Sequence, residues 1–256
     1  MSDYEGLLTS VRKVANFPNQ GNNNKLRNNM FDFNKVTVIG ATQPVVPYIP
    51  DSEGILSYAA RVSNPANQDN FDTAEGLLKY CVRNKHYSVF ETCSITMEIE
   101  TPRDIARQIL RHRSFSFQEF SQRYAESTNF ITRECRLQDT KNRQNSIDLD
   151  RNDLNQEGIA TVWRGMQTEL IELAQKSYQQ ALEMGIAKEV ARTLLPEGMT
   201  MTKMYMQGTV RSWIHFIQVR DDEGVAQKEV VDVARKVKEE LLKLYPFLEA
   251  VIENKE

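Results

Sequence analysis

Cysteine is scarce and unpaired in this sequence: Cys81, Cys93 and Cys135 are the whole supply, far apart and without a CxxC pair. That pattern excludes a disulfide framework and reads as the reduced thiols of a cytoplasmic protein. Histidine is equally scarce. His86, His112 and His215 are not paired at metal-ligand spacing, so no metal is expected. No glycine-rich turn of the G-x-G-x-x-G type occurs, which excludes a Rossmann phosphate loop. No apolar run is long enough to span a membrane, and no signal peptide with an apolar h-region is present. A large excess of one charge is lacking too, because a net charge of −3 does not suit a protein built to coat nucleic acid. With 256 residues, 40% hydrophobic and 26% charged, the chain is an ordinary globular one with room for one large domain or two small ones.

What is present is organised around residues 103–123. Just before them, Cys93, Ile95, Met97 and Ile99 alternate with Ser94, Thr96, Glu98 and Glu100, the period of a half-buried strand over 93–100. Thr101, Pro102 and Asp104 then read as N-cap, first helical residue and capping-box partner of a helix. That helix buries Ile105, Ala106, Ile109 and Leu110 and carries Arg103, Arg107 and Arg111 at i,i+4 spacing. Like charges at that spacing repel by about 0.2–0.5 kcal/mol per pair, so such a stack wants anions. Glu98 or Glu100 would supply them on a merely solvated basic face. After the helix, Arg113, Ser114, Ser116, Gln118, Glu119, Ser121 and Arg123 crowd a short segment interleaved with Phe115, Phe117 and Phe120. Arginine forks, hydroxyls and backbone N–H groups are phosphate donors, and Gln118, Gln122 and Glu119 offer mixed partners for a base or ribose. The residues alone therefore point to a nucleotide cradle, with a basic protein-contact loop as the alternative.

The run Arg111-His112-Arg113, two residues, Ser116, then Glu119, Ser121 and Arg123 resembles the signature of flavin-dependent thymidylate synthases. Gln118 stands where that family usually has Asn, which keeps the amide on a longer arm. Three further stretches support the resemblance. His86, Ser88, Phe90 and Glu91 fall on the family's flavin-associated His-Glu-Ser/Thr-Pro-Phe-Glu-His stretch, with Tyr87, Val89 and Thr92 departing from it. Val190-Ala191-Arg192 with Leu194-Leu195-Pro196 resembles its Ala-Arg…Leu-Pro segment. Arg211-Ser212, His215-Phe216 and Arg220 resemble its second arginine block. Ala59-Ala60-Arg61-Val62-Ser63 is also similar to a common family segment.

The resemblance implies reductive methylation of dUMP to dTMP, with FAD as redox cofactor and NADPH and methylenetetrahydrofolate as co-substrates. By the same resemblance Arg220 stabilises the ionised uracil. Ser88, Glu91, Arg111, His112, Arg113, Glu119, Arg211 and His215 contact FAD. Gln108, Arg111, Glu119, Ser121, Gln122, Arg123, Arg192 and Arg220 hold the nucleotide, with Arg192 coming from a neighbouring subunit. The family assembles as a homotetramer, which makes this chain its own partner. Neither a membrane nor an obligatory nucleic acid is implied. The rival enzyme class uses a cysteine nucleophile, and none of the three cysteines has an adjacent histidine to activate it. The rival of another class is an RNA- or single-strand-binding protein that uses 103–123 as a stacking platform. It leaves the block at 211–220 without a purpose.

The expected architecture is α+β, mixed helices packed on a small sheet in a single domain over 35–256, behind a polar asparagine-rich extension over 1–34. Leu7, Leu8 and Val11 would form a short docked helix in that extension. Strands are expected at 36–40 and 200–207. Helices are expected at 54–62, 73–84, 158–184, 187–195, 211–220 and 225–248. Residues 64–70 and 135–158 read as polar loops, and Trp163 and Met166 as packing residues for the long helix or for a partner subunit.

Overall fold

The strand at the centre of the sequence pattern is also the centre of the sheet. In the computed structural model, which describes residues 33–252, strand β2 (Ser94–Pro102) pairs antiparallel with β1 (Lys35–Ala41) on one side and with β6 (Met201–Thr209) on the other. A short strand, β3 (Ser116–Glu119), closes the far edge in the order β1-β2-β6-β3. Period-2 alternation decides which face is wet. Ile95, Met97 and Ile99 of β2 and Met204 and Met206 of β6 lie in the core, while Lys203 on the opposite face pairs with Glu98 at 3.0 Å and Glu100 at 3.2 Å. Those two carboxylates thus serve a lysine of the next strand and not the arginines of the following helix. Gly208 is required by space, since a Cβ there would sit 2.4 Å from the Phe115 ring.

Helices cover the apolar face. They are α1 (Ser52–Ala60), α2 (Ala74–Arg83), α3 (Arg103–Ile109), α6 (Val210–Arg220) and α7 (Lys228–Leu244), with a last short helix α8 (Glu249–Ile252). Trp213 of α6 is fully buried, donates its Nε1–H to the Ile95 carbonyl at 3.2 Å and meets Phe115 edge-on at 4.7 Å. Burying a large side chain of this kind contributes about 1.5–3 kcal/mol. α7 ends where Pro246 starts a 3₁₀ turn, so the helix expected to run through 225–248 is shorter at both ends.

Several local expectations are corrected. Thr101 is not an N-cap: it belongs to β2, opposite Thr202, and its hydroxyl donates to Asn34 Oδ1 at 2.7 Å. Pro102 takes the cap position with no side-chain bond, and the first N–H of α3 goes to the Thr200 carbonyl at 3.0 Å. Asp104 forms no capping box and accepts from Arg133 at 3.0 Å instead. Because α3 stops at Ile109, Arg111 lies beyond it and the stack of three arginines does not form. Arg103 pairs with Glu119 at 3.3 Å and Arg107 with Glu197 at 2.7 Å. The 64–70 stretch contains a 3₁₀ turn (Pro65–Asn67), and the 135–158 stretch contains a hairpin of β4 (Arg136–Gln138) and β5 (Ser146–Asp148).

The long helix α4 (Leu154–Glu183) starts four residues before its expected place, capped by Asp153, which accepts from the Asn155 N–H at 2.9 Å. It stands apart from the main core and shares only a small cluster, Tyr178 and Ala181 with Ala191, with the short helix α5 (Lys188–Ala191). Its Ile159, Trp163, Met166, Leu170 and Leu173 are exposed, and the Trp163 indole donates to the Arg133 carbonyl at 3.0 Å. Trp163 is thus partly covered within the chain, whereas Met166 is more than half exposed. No helix among the described residues is long and apolar enough to cross a membrane. The docked helix expected around Leu7, Leu8 and Val11 lies outside the described residues.

Candidate active site

β6 runs straight into α6, and this junction places the first part of the site. Thr209 caps the helix by accepting from the Ser212 N–H at 3.2 Å, and its hydroxyl donates to Glu91 Oε2 at 2.8 Å. Glu91 lies at the end of the 3₁₀ turn Tyr87–Glu91, brought there because Ser94 at the start of β2 pairs with Thr209 at the end of β6. Arg211 donates to the other Glu91 oxygen at 2.8 Å. Around this pair opens a cavity of about 470 Å³ lined by Tyr87, Glu91, Ser114, Arg211, Ser212, Ile214, His215 and Gln218. Helical spacing puts Arg211 and His215 on the same open face, as expected, and Ser88 is exposed in the adjoining turn. Gln218 gave no signal of its own, and only the fold brings it with Ser114 and Ser212 into one wall. Ser212 Oγ donates to the Ser114 carbonyl at 3.3 Å, tying α6 to the turn after Arg113. Arg111 and Arg113 are both exposed in that turn.

At the other end of α6, Arg220 falls on the buried face with Phe216. Its Nε donates to His112 Nε2 at 2.8 Å and its Nη2 to the Gln108 carbonyl at 3.2 Å. Neither partner is a carboxylate. Two of the five guanidinium N–H donors are thereby used and three remain. Burial, and then the charge of Arg111, lower the Arg220 pKa. His112 can accept at Nε2 only as neutral imidazole carrying its proton on Nδ1. Burial, followed by the charges of Arg220 and His215, pushes its pKa down to about 4. The ring is held edge-on by Phe216, 5.0 Å between centroids.

The remaining predicted residues, Gln108 apart, gather around the end of β3. Phe120 continues the ladder by donating its N–H to the Lys203 carbonyl at 2.8 Å, and the chain then turns at Ser121, whose carbonyl accepts from Tyr124 and Ala125. Ser121 Oγ accepts from the Arg123 N–H at 3.4 Å. Arg123 is exposed and pairs with Glu189 at 3.3 Å, while Arg192 donates its Nε to the Glu189 carbonyl at 3.2 Å. Both arginines thus flank one residue within one chain. Gln122 is buried and donates to Ser127 Oγ at 2.8 Å. Glu119 accepts from Thr202 at 2.9 Å as well as pairing with Arg103, so both residues turn inward. Gln108 gives its side chain to Gln227 at 2.8 Å.

This arrangement also bears on the rival readings. Phe115 is buried against Trp213, Phe117 is half-buried and Arg103 is paired with Glu119, which takes two of the three phenylalanines and one arginine out of a stacking platform over 103–123. Cys93 donates to the Ser52 carbonyl at 3.6 Å, and burial pushes its thiol up to about 11. Burial also raises Cys81 and Cys135, the reverse of what an attacking thiolate needs. Among the described residues no group of three or more His, Cys, Asp or Glu side chains could hold a metal ion. The sequence reading missed a buried ionic knot. Glu229 accepts from Arg133 at 3.0 Å and Arg136 at 2.6 Å, with Asp104 on the other side of Arg133. Its members are so far apart in sequence that no local pattern announces it.

Known proteins resemble this chain in sequence and in fold. A family model described as "Thymidylate synthase complementing protein" matches residues 44–247. A protein of Paramecium bursaria Chlorella virus 1 named "Probable flavin-dependent thymidylate synthase" is 49% identical over 212 residues, which cover 82% of this chain and 95% of that protein. A flavin-dependent thymidylate synthase of Synechocystis sp. is 44% identical over 223 residues, 85% of this chain and 99% of that protein. Among solved structures, a UMP/dUMP methylase from Streptomyces cacaoi bound with 5-Br dUMP superposes with a TM-score of 0.69 at 27% identity, covering 85% of this chain and 93% of that one.

Proposed function

The chain belongs to the thymidylate synthase complementing protein family, and from that premise we propose that it is a flavin-dependent thymidylate synthase that methylates dUMP to dTMP with FAD. The carbon donor in this reading is methylenetetrahydrofolate and the reductant NADPH. The observation that carries it is Arg220, a half-buried cation anchored by two neutral acceptors with three N–H groups to spare. Carbon 5 of uracil becomes nucleophilic as negative charge builds over the ring nitrogen and oxygens. A pre-placed guanidinium stabilises that charge where it develops. An arginine already matched to a carboxylate would have less to give.

The cavity beside α6 suits a flavin nucleotide chemically: Arg211 and His215 for an anion, Ser114 and Ser212 for hydroxyl contacts, Tyr87 for a ring. FAD, once bound, supplies hydride transfer, and the chain's part is to orient it. Ser88, Glu91, Arg111, His112, Arg113 and Arg211 with His215 would hold it, and Ser121, Arg123 and Arg192 would grip the dUMP phosphate and sugar. A whole FAD is larger than the single-chain cavity of about 470 Å³. The exposed apolar residues of α4 leave a face that association would cover. Both support a homotetramer with sites completed across subunits. The catalytic unit over 35–256, its extension over 1–34 and a cytoplasmic place of work belong to the same reading.

The test is spectroscopic. Purified protein, alone or after incubation with FAD, should show flavin absorption that NADPH bleaches anaerobically, and it should convert dUMP to dTMP when methylenetetrahydrofolate is added. A colourless protein that takes up no FAD would falsify the proposal.

A further inference from the structure

The anchor of Arg220 depends on a residue that lies outside every motif named above. The Gln108 carbonyl sits in the last turn of α3, and the N–H that would meet it in a continuing helix, that of His112, turns to the Ile109 carbonyl at 3.0 Å. The orphaned Gln108 carbonyl is therefore free to accept from Arg220 Nη2 at 3.2 Å. The side chain of the same residue is tied as well, because Gln108 Nε2 donates to Gln227 Oε1 at 2.8 Å. Gln227 occupies the N-cap position of α7, where a side chain ordinarily accepts from the helix's own N–H groups, yet it makes no capping bond. Its amide reaches across to α3 instead.

Several contacts surround Gln227. In the 221–227 connection between α6 and α7, Gly224 donates its N–H to Asp222 at 3.0 Å and accepts from Asn142 of the β4–β5 hairpin at 3.3 Å. Arg235 of α7 ties down Asp221 at 3.0 Å and Glu223 at 2.6 Å. Lys228 pairs with Asp148 of the same hairpin, and Glu229 is locked by Arg133 and Arg136. The polar 135–158 stretch, which had no assignment from sequence, thus braces the connection that presents Gln227.

We propose that Gln227 is a positioning residue for Arg220: through Gln108 it fixes the carbonyl that, with His112, sets the plane of the guanidinium. This rests on the reading of Arg220 as the group that meets the uracil edge. Gln227 touches neither nucleotide nor flavin in this scheme. Its contribution is confined to how well the three free N–H groups of Arg220 are aimed, and small errors of aim in a transition-state contact are expensive.

The experiment uses the full-length, FAD-loaded enzyme and a double-mutant cycle. Arg220→Lys alone should slow methylation by about 10²–10³-fold, as for loss of one preorganised donor. Gln227→Ala alone should slow it on the order of ten-fold, with the KM for dUMP within about two-fold and NADPH-driven flavin reduction unchanged, because only an aimed contact is disturbed. In the Arg220→Lys background the Gln227 change should add less than about two-fold, since the group it positions is gone. Gln227→Asn, which keeps the amide on a shorter arm, gives the same reading if the alanine variant loses flavin. Equal slowing by Gln227→Ala in both backgrounds, or a matching loss of flavin reduction, would overturn the proposal and make the contact a support of the fold. Full turnover by Arg220→Lys and Arg220→Ala would instead overturn the reading of Arg220 itself, and the positioning role with it.

Discussion

Two arginine corners of this molecule use the same side chain in opposite ways. In the knot between α3, α7 and the start of β4, Arg133 and Arg136 meet Glu229, which is 1% exposed, and Arg133 also meets Asp104. Burial alone would raise the Glu229 carboxyl, but the two guanidiniums overcome it and hold it below its ordinary value. Every charge there is met by its opposite, and the corner has none to offer a ligand. At the end of α6, Arg220 is anchored by an imidazole and a carbonyl, and its charge stays unmatched. The contrast separates structural from functional arginines by the chemistry of their acceptors. Burial does not separate them, because both corners are sheltered.

The largest effect should come from unmatching the knot. Glu229→Gln keeps the shape and removes the charge that two buried guanidiniums share, leaving Arg133 with Asp104 alone and Arg136 with only Glu134, 4.0 Å away. Breaking a buried pair in this way is expected to cost about 3–5 kcal/mol of stability, read as a drop in the urea midpoint at constant slope. A loss below about 1 kcal/mol would mean that water reaches the knot as readily as a surface pair, and the contrast with Arg220 would fail.

Acid should then open the two corners at different pH. The folded protein holds His112 near 4, against an ordinary value of 6.5, so between those values the unfolded chain binds the extra proton. Stability from this group is complete above 6.5, declines as pH falls towards 4, and declines no further below. The total is about 3 kcal/mol at 1.36 kcal/mol per pKa unit. Protonation also fills the Nε2 lone pair and sets a second cation against Arg220. Glu229 behaves in the same sense at lower pH: with its folded value below the ordinary 4.5, its contribution is lost only as pH falls from there through the folded value. The Arg220 corner should therefore weaken first on acidification. The difference in unfolding free energy between wild type and His112→Gln, taken at pH 7.5 and 5, measures the first loss. An imidazole resonance of His112 titrating near 6.5 would sink the idea.

How much of this was legible beforehand follows from the range of each signal. Strand β2 and helix α6 were readable because alternation at Ile95, Met97 and Ile99, and the i,i+4 pair Arg211 and His215, are local patterns. The resemblance assigned Arg111, His112 and Arg113 to flavin and Arg220 to uracil, but the bond between Arg220 and His112 was not foreseen. The capping box at Thr101 and Asp104 failed because tertiary pairing won: Thr101 had a strand partner in Thr202 and Asp104 had Arg133. Strand β3 escaped notice because its polar residues alternate on an edge only four residues long, which carries little pattern. Gln227 and Glu229 could not be read at all, since their partners Gln108, Arg133 and Arg136 are about a hundred positions away. The sites expected at Gln122 and Glu119 are engaged inside the chain by Ser127, Thr202 and Arg103, contacts that no spacing rule foretells.

The smallest effect should come from an arginine that lies between the two extremes. Arg123 has a carboxylate partner, Glu189 at 3.3 Å, but both side chains are more than half exposed. An exposed pair of this kind holds its partner weakly, whereas a charge-assisted bond to phosphate is stronger, so dUMP should displace Glu189 from Arg123. Arg123→Ala should then weaken dUMP binding by roughly ten- to hundred-fold while flavin content is kept, because the lost contact is a single charged hydrogen bond. Glu189→Gln should do the reverse and tighten dUMP by about two- to five-fold, since the competing carboxylate and its repulsion of the phosphate are removed. The tightening should shrink as salt is raised from 0.05 to 0.5 M by roughly the screening expected for exposed charges. Isothermal titration of both variants at two salt concentrations decides the matter. If Glu189→Gln loosens dUMP instead, the carboxylate is holding Arg123 in place for the phosphate, and Arg123 belongs with the matched arginines of the knot.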